Sequence, residues 1–434
     1  MLLYSSTISA RLQYIAKTLF STIECTNNVQ VFIESNEPKI NYSTEPISPN
    51  ELWIQPHGLL EETGIKEQII EVTEWQSLKV FFKTEGSIPF DFLAASFYLI
   101  TRYEEYLPHE NDMYGRYAHT NSIAFKHNFL HLPLINLWMQ KIEKYFPPLT
   151  TQDSPFMTSD SRFSYLPTYD IDIAYSYLHH STIKNVGGFF KDLINGKIDA
   201  VAERLQVLTQ VKKDPFDVYE WLHQLHKEYR LQPIYFFLLA KERKGYDKNI
   251  RPQTKGMTQL IAQHGEQYTV GIHPSWQSNN DEKILTNEIH QLNKITHQSI
   301  EHSRQHYIKM NLPLTYETLI QQGIQHDYSM GYGSINGFRA SYTLPFNWYN
   351  LAKEESTNLQ IHPFCFMEAN SFFEQKLSAE EAAKELQNYF DVVKKVNGTL
   401  ITIFHNHFLT HQPLWIEWRN MYEQFLKVNF ASIT

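Results

Sequence analysis

Cysteine is scarce in this chain of 434 residues, in which only Cys25 and Cys365 occur. Two cysteines exclude a disulfide-rich scaffold and a zinc site made of thiolates. No apolar stretch reaches the ~18 residues that a membrane-spanning helix needs, so we expect no membrane span. The chain also contains neither a G-x-x-x-x-G-K-[ST] loop nor a G-x-G-x-x-G motif, so neither of these phosphate-binding motifs is available.

An excess of positive charge is missing as well. Lys and Arg number 38 against 47 Asp and Glu, which gives a net charge of −9. This balance disfavours a general nucleic-acid-binding or anionic-membrane-binding surface, so we predict no nucleic-acid partner. Residues 1–11 lack the basic segment and long apolar run of a signal peptide. We therefore expect a cytoplasmic, soluble protein.

The length predicts two or three domains. A polar stretch at residues 147–162 is the best boundary, and we predict an N-terminal α+β accessory domain at 1–155 and a second domain at 160–434. In the first domain, alternation predicts a strand over residues 29–33. Residues 89–102 are typical of a buried helix.

Beyond the boundary, strand and helix patterns alternate, which indicates a parallel α/β architecture. Strands are predicted over residues 233–240, 268–272 and 400–404. Asp214 and the proline after it predict the start of one helix. Ser378 and Glu381 predict a capping box at the start of another.

Asp170 and Asp172 end an apolar run at a spacing of two residues. In a strand, this spacing puts both carboxylates on one face. Like charges this close are costly unless a cation or proton lies between them. One acid then binds a divalent metal and the other acts as a base, or both simply cap a loop or pair with Arg. An isolated pair favours the second interpretation, so the accompanying residues decide.

Histidines follow two further predicted strands, at His273 and His405. Because the carboxyl ends of parallel barrel strands open on one face, we expect these side chains to converge with the acids. His273 is a metal ligand beside Asp172, or a loop histidine bonded to backbone. His405 is a general acid, since its ordinary pKa of ~6.5 suits proton donation. His407, two residues further on, is on the same face; it either substitutes for His405 as the acid or has only a packing role.

Two further segments supply candidates. Arg304 lies in the segment 303–307 and either orients Asp170 or forms a surface ion pair. Arg339 belongs to a Gly-rich aromatic loop that indicates a substrate wall or ordinary turns. Aromatic residues make up 14% of the chain, which suits a carbohydrate ligand, although filling a core explains most of them.

Together, residues 165–408 resemble the polysaccharide deacetylase (NodB-homology) family, also called carbohydrate esterase family 4. The segments similar to its motifs are 168–172, 271–275, 304–307 and 400–405. The resemblance implies an α/β fold, a distorted (β/α)7-type barrel, preceded here by the smaller α+β domain. Residues 1–155 do not match that family and resemble an uncharacterised domain that accompanies divergent deacetylase-like proteins in bacteria.

The resemblance implies removal of an N-acetyl group from an amino sugar with a divalent metal, most often zinc. It implies that Asp170 is the base, His405 the acid and Arg304 the residue that positions the base, in a loop whose backbone N–H stabilises the oxyanion. Metal binding falls to Asp172 and His273. Substrate binding is assigned to four residues: Trp276, Tyr307, Arg339 and His407.

One departure from the family concerns the third metal ligand. Gln277 stands where the family usually has a second metal histidine. We predict that His306 replaces it, with Asp281 and His407 as the next choices. The alternatives are a catalytically inactive glycan-binding protein and a hydrolase of another C–N bond. A cytoplasmic location favours a carbohydrate substrate such as a sugar nucleotide, a lipid-linked glycan precursor or a surface-polysaccharide intermediate.

Overall fold

The computed structural model describes residues 1–146 and 163–431. The predicted boundary at 147–162, with the domain limits at 155 and 160, lies outside the described residues. The division into these two domains therefore stays a prediction.

The first part of the chain mixes short strands with helices. Its main sheet has four parallel strands in the order β2-β1-β3-β4, and β5 and β6 form a separate antiparallel pair. The elements are β1 (Leu2–Tyr4), α1 (Ala10–Leu19), β2 (Glu24–Thr26), α2 (Val29–Glu34), β3 (Lys39–Tyr42), β4 (Leu52–Ile54), β5 (Thr73–Trp75), β6 (Leu78–Val80), α3 (Phe92–Ile100), α4 (Ile123–Lys126) and α5 (Leu134–Ile142).

Of the two elements predicted here, one is confirmed and one is wrong. Every residue of α3 is buried, as predicted for the helix within 89–102. The strand predicted over residues 29–33 is the short helix α2. The Asn28 side chain caps it by accepting the N–H groups of Gln30 and Val31, and of its residues only Phe32 is buried. The alternating apolar residues are exposed, so their spacing did not mark a buried strand face.

The second part alternates strands and helices around one large sheet. Its elements are β7 (Ser164–Ile171), α6 (Thr182–Ile194), α7 (Ile198–Leu208), α8 (Tyr219–Glu228), β8 (Ile234–Leu238), α9 (Lys255–Gln267), β9 (Thr269–His273), α10 (Glu282–Thr296), β10 (His302–Ser303), α11 (Leu314–Gln321), β11 (His326–Asp327), β12 (Phe346–Asn350), β13 (Glu355–Ile361), β14 (Phe366–Met367), α12 (Ala379–Lys395), β15 (Thr399–His405) and α13 (Ile416–Phe430).

The large sheet has nine strands in the order β12-β13-β11-β10-β9-β8-β7-β15-β14. All neighbours are parallel except β12 and β13. The α/β class is confirmed. The count differs from the expected seven strands, and among the described residues the sheet has two edges, β12 and β14, with no pairing that closes it into a ring. A barrel of seven strands stays a prediction.

The three strands predicted over residues 233–240, 268–272 and 400–404 are β8, β9 and β15. The capping box of Ser378 and Glu381 opens α12 as predicted. The helix start predicted at Asp214 is wrong, because α8 begins at Tyr219. The Asp214 carboxylate instead accepts three backbone N–H groups of the loop after β7, those of Ser176, Tyr177 and Leu178.

A buried network of charged side chains joins the two parts of the chain. Glu105 accepts hydrogen bonds from Arg102 at 2.7 Å and from the Arg339 Nε at 2.8 Å. Arg102 also donates to the backbone carbonyl of Arg339. Because all three side chains are buried, this network fixes the first part of the chain against the loop that precedes β12.

Candidate active site

Asp170 and Asp172 lie where β7, a central strand of the large sheet, ends. In the strand register, Asp170 is opposite Phe236 of β8 on one side and His405 of β15 on the other. Parallel pairing of β15 with β7 therefore places His405 beside Asp170. Asp172 follows the strand by one residue. The predicted convergence of acids and histidines at the carboxyl ends of the strands is present.

The predicted metal ligands Asp172, His273 and His306 form one cluster, whose ligand atoms all lie within 4.8 Å of one another. The Asp172 Oδ1 atom is 3.2 Å from His273 Nε2, and the Oδ2 atom is 3.7 Å from His306 Nε2. His273 ends β9, and His306 lies in a 3₁₀ turn after β10. The parallel strands β7, β9 and β10 thus deliver all three groups to one edge of the sheet.

Each imidazole of the cluster is oriented by a buried hydrogen-bond acceptor at its Nδ1 atom. His273 Nδ1 lies 2.5 Å from the backbone carbonyl of Arg304, and His306 Nδ1 lies 3.0 Å from Asp247 Oδ1. A ring that donates its Nδ1 proton keeps the Nε2 lone pair free for a cation. Both Nε2 atoms face Asp172, which is the orientation that metal binding requires.

The electrostatics of the cluster fit a divalent cation. Burial raises the pKa of Asp172, but the imidazoles of His306, His273 and His405 outweigh it and hold that pKa well below its usual range. Burial lowers the pKa of His306, whereas Asp172 and Asp247 raise it, to about 9 overall. The buried Asp172 Oδ1 has no hydrogen-bond partner among the described residues. One carboxylate and two imidazoles are a donor set that zinc sites use.

Arg304 contacts Asp170 directly, as expected from the sequence. Its Nη1 lies 3.0 Å from Asp170 Oδ1 and donates to the Thr168 hydroxyl at 2.6 Å. The Arg304 Nε donates to the Tyr328 carbonyl at 3.0 Å. Since Arg304 is fully buried, the alternative of a surface ion pair is wrong. The pair fixes the Asp170 carboxylate beside the metal cluster.

His405 is paired with a buried acid that the sequence analysis did not identify. Its Nδ1 lies 3.0 Å from Glu368 Oε1, and its Nε2 lies 3.7 Å from Asp172 Oδ2. Burial lowers the pKa of His405, but Glu368, Asp172 and Asp170 raise it to about 10. In His407, burial and the charge of His405 lower the pKa to about 3. These surroundings therefore favour the protonated form of His405 and the neutral form of His407.

These groups open into one cavity of about 600 Å³. Its lining includes Asp170, Asp172, His273, His306, Tyr307, His405 and His407. The first part of the chain contributes Met113, Tyr114 and Arg116. The Arg116 Nη1 donates to the Tyr307 carbonyl at 2.7 Å. A Cβ atom at Gly333 would collide with Arg116 and lie 2.9 Å from that carbonyl oxygen, so only glycine fits there.

Other predicted site residues lie outside the lining of this cavity. Arg339 is buried against Glu105, which occupies its guanidinium group. Trp276 packs against Tyr246 at a ring distance of 4.4 Å, behind the cavity wall. Asp281, a reserve choice for the third metal ligand, caps α10 instead.

Gln277, which stands at the usual position of a metal histidine, acts on the cluster indirectly. Its Nε2 donates to Asp247 Oδ2 at 3.2 Å, and Asp247 in turn contacts His306. Gln277 thus supports the acid that orients His306.

Three residues at the site, Asp247, Glu368 and Arg116, are not predicted from the sequence. Glu368 follows β14 directly, so the rule that finds acids at strand ends applies to it. That strand has two residues, too few for a periodic signal. Asp247 and Arg116 lie in loops and reach the site through contacts with His306 and Tyr307 that are 59 and 191 residues away along the chain. No local pattern marks such residues.

Comparisons with known proteins give a family model for the first part of the chain and several similar solved structures. Residues 1–149 match the model of a family of unknown function (DUF7033). No curated protein matches the chain. A solved structure of a candidate polysaccharide deacetylase from Mycobacterium smegmatis is similar at 11% identity and a TM-score of 0.39, covering 63% of this chain and 87% of that one. A polysaccharide deacetylase from Bacillus cereus is similar at 11% identity and a TM-score of 0.31, covering 62% and 88%.

Within residues 1–146 and 163–431, every helix is too short or too polar to pass through a bilayer. The cytoplasmic location stays a prediction.

Proposed function

We propose that this chain is a metal-dependent hydrolase that removes the N-acetyl group from an amino sugar in a glycan or glycan precursor. The observation that carries the proposal is the shared cavity. It joins the cluster of Asp172, His273 and His306 to a buried acid held by arginine and a buried imidazole held by glutamate. Metal-dependent hydrolysis of an amide uses these three parts: a polarising cation, a base and an acid.

Asp170 has the surroundings of a general base. Arg304 holds one of its oxygens at 3.0 Å and so fixes the orientation of the carboxylate. The second oxygen, Oδ2, lies 3.8 Å from His273 Nε2, at the edge of the metal cluster. A divalent cation bound by Asp172, His273 and His306 lowers the pKa of water and polarises a carbonyl group. The Asp170 Oδ2 atom, which lies beside these ligands, would accept a proton from the attacking water.

His405 has the surroundings of a general acid. Its Nδ1 proton is held by Glu368, so the proton of the imidazolium that is free to leave is on Nε2. That nitrogen lies 3.7 Å from Asp172 Oδ2, on the cavity side. When the C–N bond breaks, the amine of the sugar would take this proton, and the neutral imidazole would keep its Nδ1 proton on Glu368 until Nε2 is protonated again.

The cavity wall suits a sugar. Tyr114, Tyr246 and Tyr307 line it together, with ring distances of 4.8 Å between Tyr246 and Tyr307 and 5.4 Å between Tyr114 and Tyr307. Aromatic rings of this kind combine an apolar face with a hydroxyl that forms hydrogen bonds. A pyranose ring presents the same combination, so we assign these rings to substrate binding.

Acetate release tests the proposal. Purified protein is treated with a chelator, reloaded with zinc or another divalent metal, and incubated with N-acetylated chitooligosaccharides, peptidoglycan fragments and simple amides. We expect acetate from the acetylated sugars only after reloading. Metal binding and sugar binding without acetate from any substrate would indicate the inactive glycan-binding alternative. Turnover of other amides alone would indicate a hydrolase of another C–N bond.

Replacing Glu368 with Gln tests the assignment of His405 as the acid. Gln keeps an oxygen that accepts the Nδ1 proton but removes the negative charge that raises the pKa of His405. Activity needs protonated His405, so it falls as pH rises through that pKa. We expect the alkaline limb of the rate profile to move to lower pH by about one to three pH units. The measurement is kcat against pH for both proteins.

The rate at pH values well below the alkaline limb serves as the internal control, because His405 is protonated there in both proteins. An alkaline limb at the same pH in both proteins would contradict the role of the pair of His405 and Glu368.

A further inference from the structure

Helices α6 and α7 form a hairpin that carries an unusual share of exposed apolar side chains. Of the 21 large hydrophobic side chains exposed among the described residues, nine lie between residues 183 and 211. They are Ile183, Val186, Phe190, Leu193, Ile194, Ile198, Leu205, Leu208 and Val211. Scattered exposed apolar residues are ordinary, but a concentration of this kind marks an interaction surface.

The exposed residues of α6 lie on one face. Ile183, Val186, Phe190, Leu193 and Ile194 follow one another at spacings of three and four residues, except for the adjacent last two. At 3.6 residues per turn, these positions fall within an arc of about 100°. The helix therefore presents a continuous apolar stripe to solvent.

The polar face of α6 points inward. Asn185 is buried and donates to the Tyr177 carbonyl at 3.0 Å. Asp192 binds Arg204 of α7 at 2.7 Å, and the same guanidinium donates to Asn185 at 3.2 Å. Surface helices of globular proteins have the opposite arrangement, with the apolar stripe toward the core. This inversion indicates that something apolar covers α6 when the protein works.

The local charge identifies the covering partner. Between residues 182 and 213 the chain has six basic and three acidic side chains, a net charge of +3 in a chain whose total is −9. The basic residues are Lys184, Lys191, Lys197, Arg204, Lys212 and Lys213. Of these, Lys184, Lys191 and Lys197 form no ion pair with any residue of the described chain. Free lysines beside an apolar stripe match an anionic lipid surface.

We infer that the α6–α7 hairpin docks on an anionic phospholipid membrane, with the apolar stripe at the boundary of headgroups and acyl chains and the free lysines on lipid phosphates. A second copy of the chain fits less well as the partner. In a twofold contact the lysines of one copy would face the lysines of the other, and like charges repel. The negative total charge excludes a general membrane-binding surface but not this local one. Helix α6 begins ten residues after Asp172 along the chain.

Vesicle binding by the full chain tests the inference. The probes are vesicles of phosphatidylcholine alone and of phosphatidylcholine with about one-third phosphatidylglycerol. The variant Ile183→Asp/Ile194→Asp changes side chains that are 86% and 83% exposed and so leaves the core intact. Ile69→Asp, at a position that is 93% exposed in the first part of the chain, is the matched control. Sedimentation with vesicles gives the bound fraction, and circular dichroism checks folding.

We expect binding to the anionic vesicles only, weakened at least about tenfold by the double variant and unchanged by the control. Added salt should weaken it as well. No binding to anionic vesicles, or equal binding by the double variant, would overturn the inference. The inference would also be overturned if the wild type formed a dimer in the absence of vesicles and the double variant did not. A second copy of the chain would then be the partner of the apolar stripe. The outcome does not depend on hydrolase activity.

Discussion

Replacing Asp170 with Asn should reduce acetate release by about 10²–10⁴-fold in kcat while the metal stays bound. Asn has nearly the same shape, and its carbonyl oxygen can still accept the Arg304 hydrogen bond that Asp170 receives at 3.0 Å. It cannot take a proton from water. Asp170 is not one of the three clustered ligands, so loss of its charge should leave the metal cluster assembled.

The experiment compares kcat, metal content and thermal unfolding of the variant with those of the wild type. Asp199→Asn, which changes an exposed carboxylate on α7, is the matched control and should behave like the wild type. Full turnover by Asp170→Asn would show that another group is the base. Loss of activity together with loss of metal would assign Asp170 to metal binding instead.

Replacing Glu105 with Gln should destabilise the fold by about 3–5 kcal/mol at neutral pH. The Glu105 carboxylate lies between two buried guanidinium groups, those of Arg102 and Arg339. Removal of its charge leaves the buried Arg339 without a carboxylate partner and leaves Arg102 paired with Glu104 alone. The measurement is the free energy of unfolding in urea.

The dependence of this effect on pH follows from the pKa of Glu105. Burial raises that pKa, but Arg339 and Arg102 outweigh it and lower it to about 2. In the unfolded chain the value is about 4.3. A lowered pKa in the folded state contributes stability above about pH 4.3 that is lost as pH falls toward 2. The difference between wild type and variant should therefore shrink over that interval.

The exposed pair of Glu380 and Lys384 supplies the matched control. It has the same kind of charges at 2.7 Å, but both side chains are in solvent. Glu380→Gln should therefore change the free energy of unfolding by less than about 1 kcal/mol. An equally small change for Glu105→Gln would contradict the view that the buried network fastens the two parts of the chain together.

The sequence predicts two things well: strands that are marked by apolar runs, and the site residues that stand at the ends of those strands. The apolar runs before Asp170, His273 and His405 become the strands β7, β9 and β15. Parallel pairing then places their final polar residues at one edge, whatever their separation in sequence. The sequence also predicts that His306 supplies the third metal ligand, because Gln277 stands where the family has a histidine. His306 lies in the cluster, as predicted.

The parts that sequence did not predict depend on pairing between distant residues. Arg339 in a Gly-rich loop is typical of a substrate wall, but its partner Glu105 is 234 residues away and buries it. In the same way, Asp214 has the local pattern of a helix cap, yet loop N–H groups from 36 to 38 residues upstream take its carboxylate. Local patterns show which groups need a partner and not which partner they find.

The central claim is that Asp172, His273 and His306 bind one divalent metal ion. Metal analysis of purified wild-type protein, Asp172→Asn, His273→Gln and His306→Gln tests it most directly, with the exposed His411→Gln as the control. We expect about one ion per chain in the wild type and the control, and little or none in the three variants. A full equivalent of metal in His306→Gln, held as tightly as in the wild type, would contradict it.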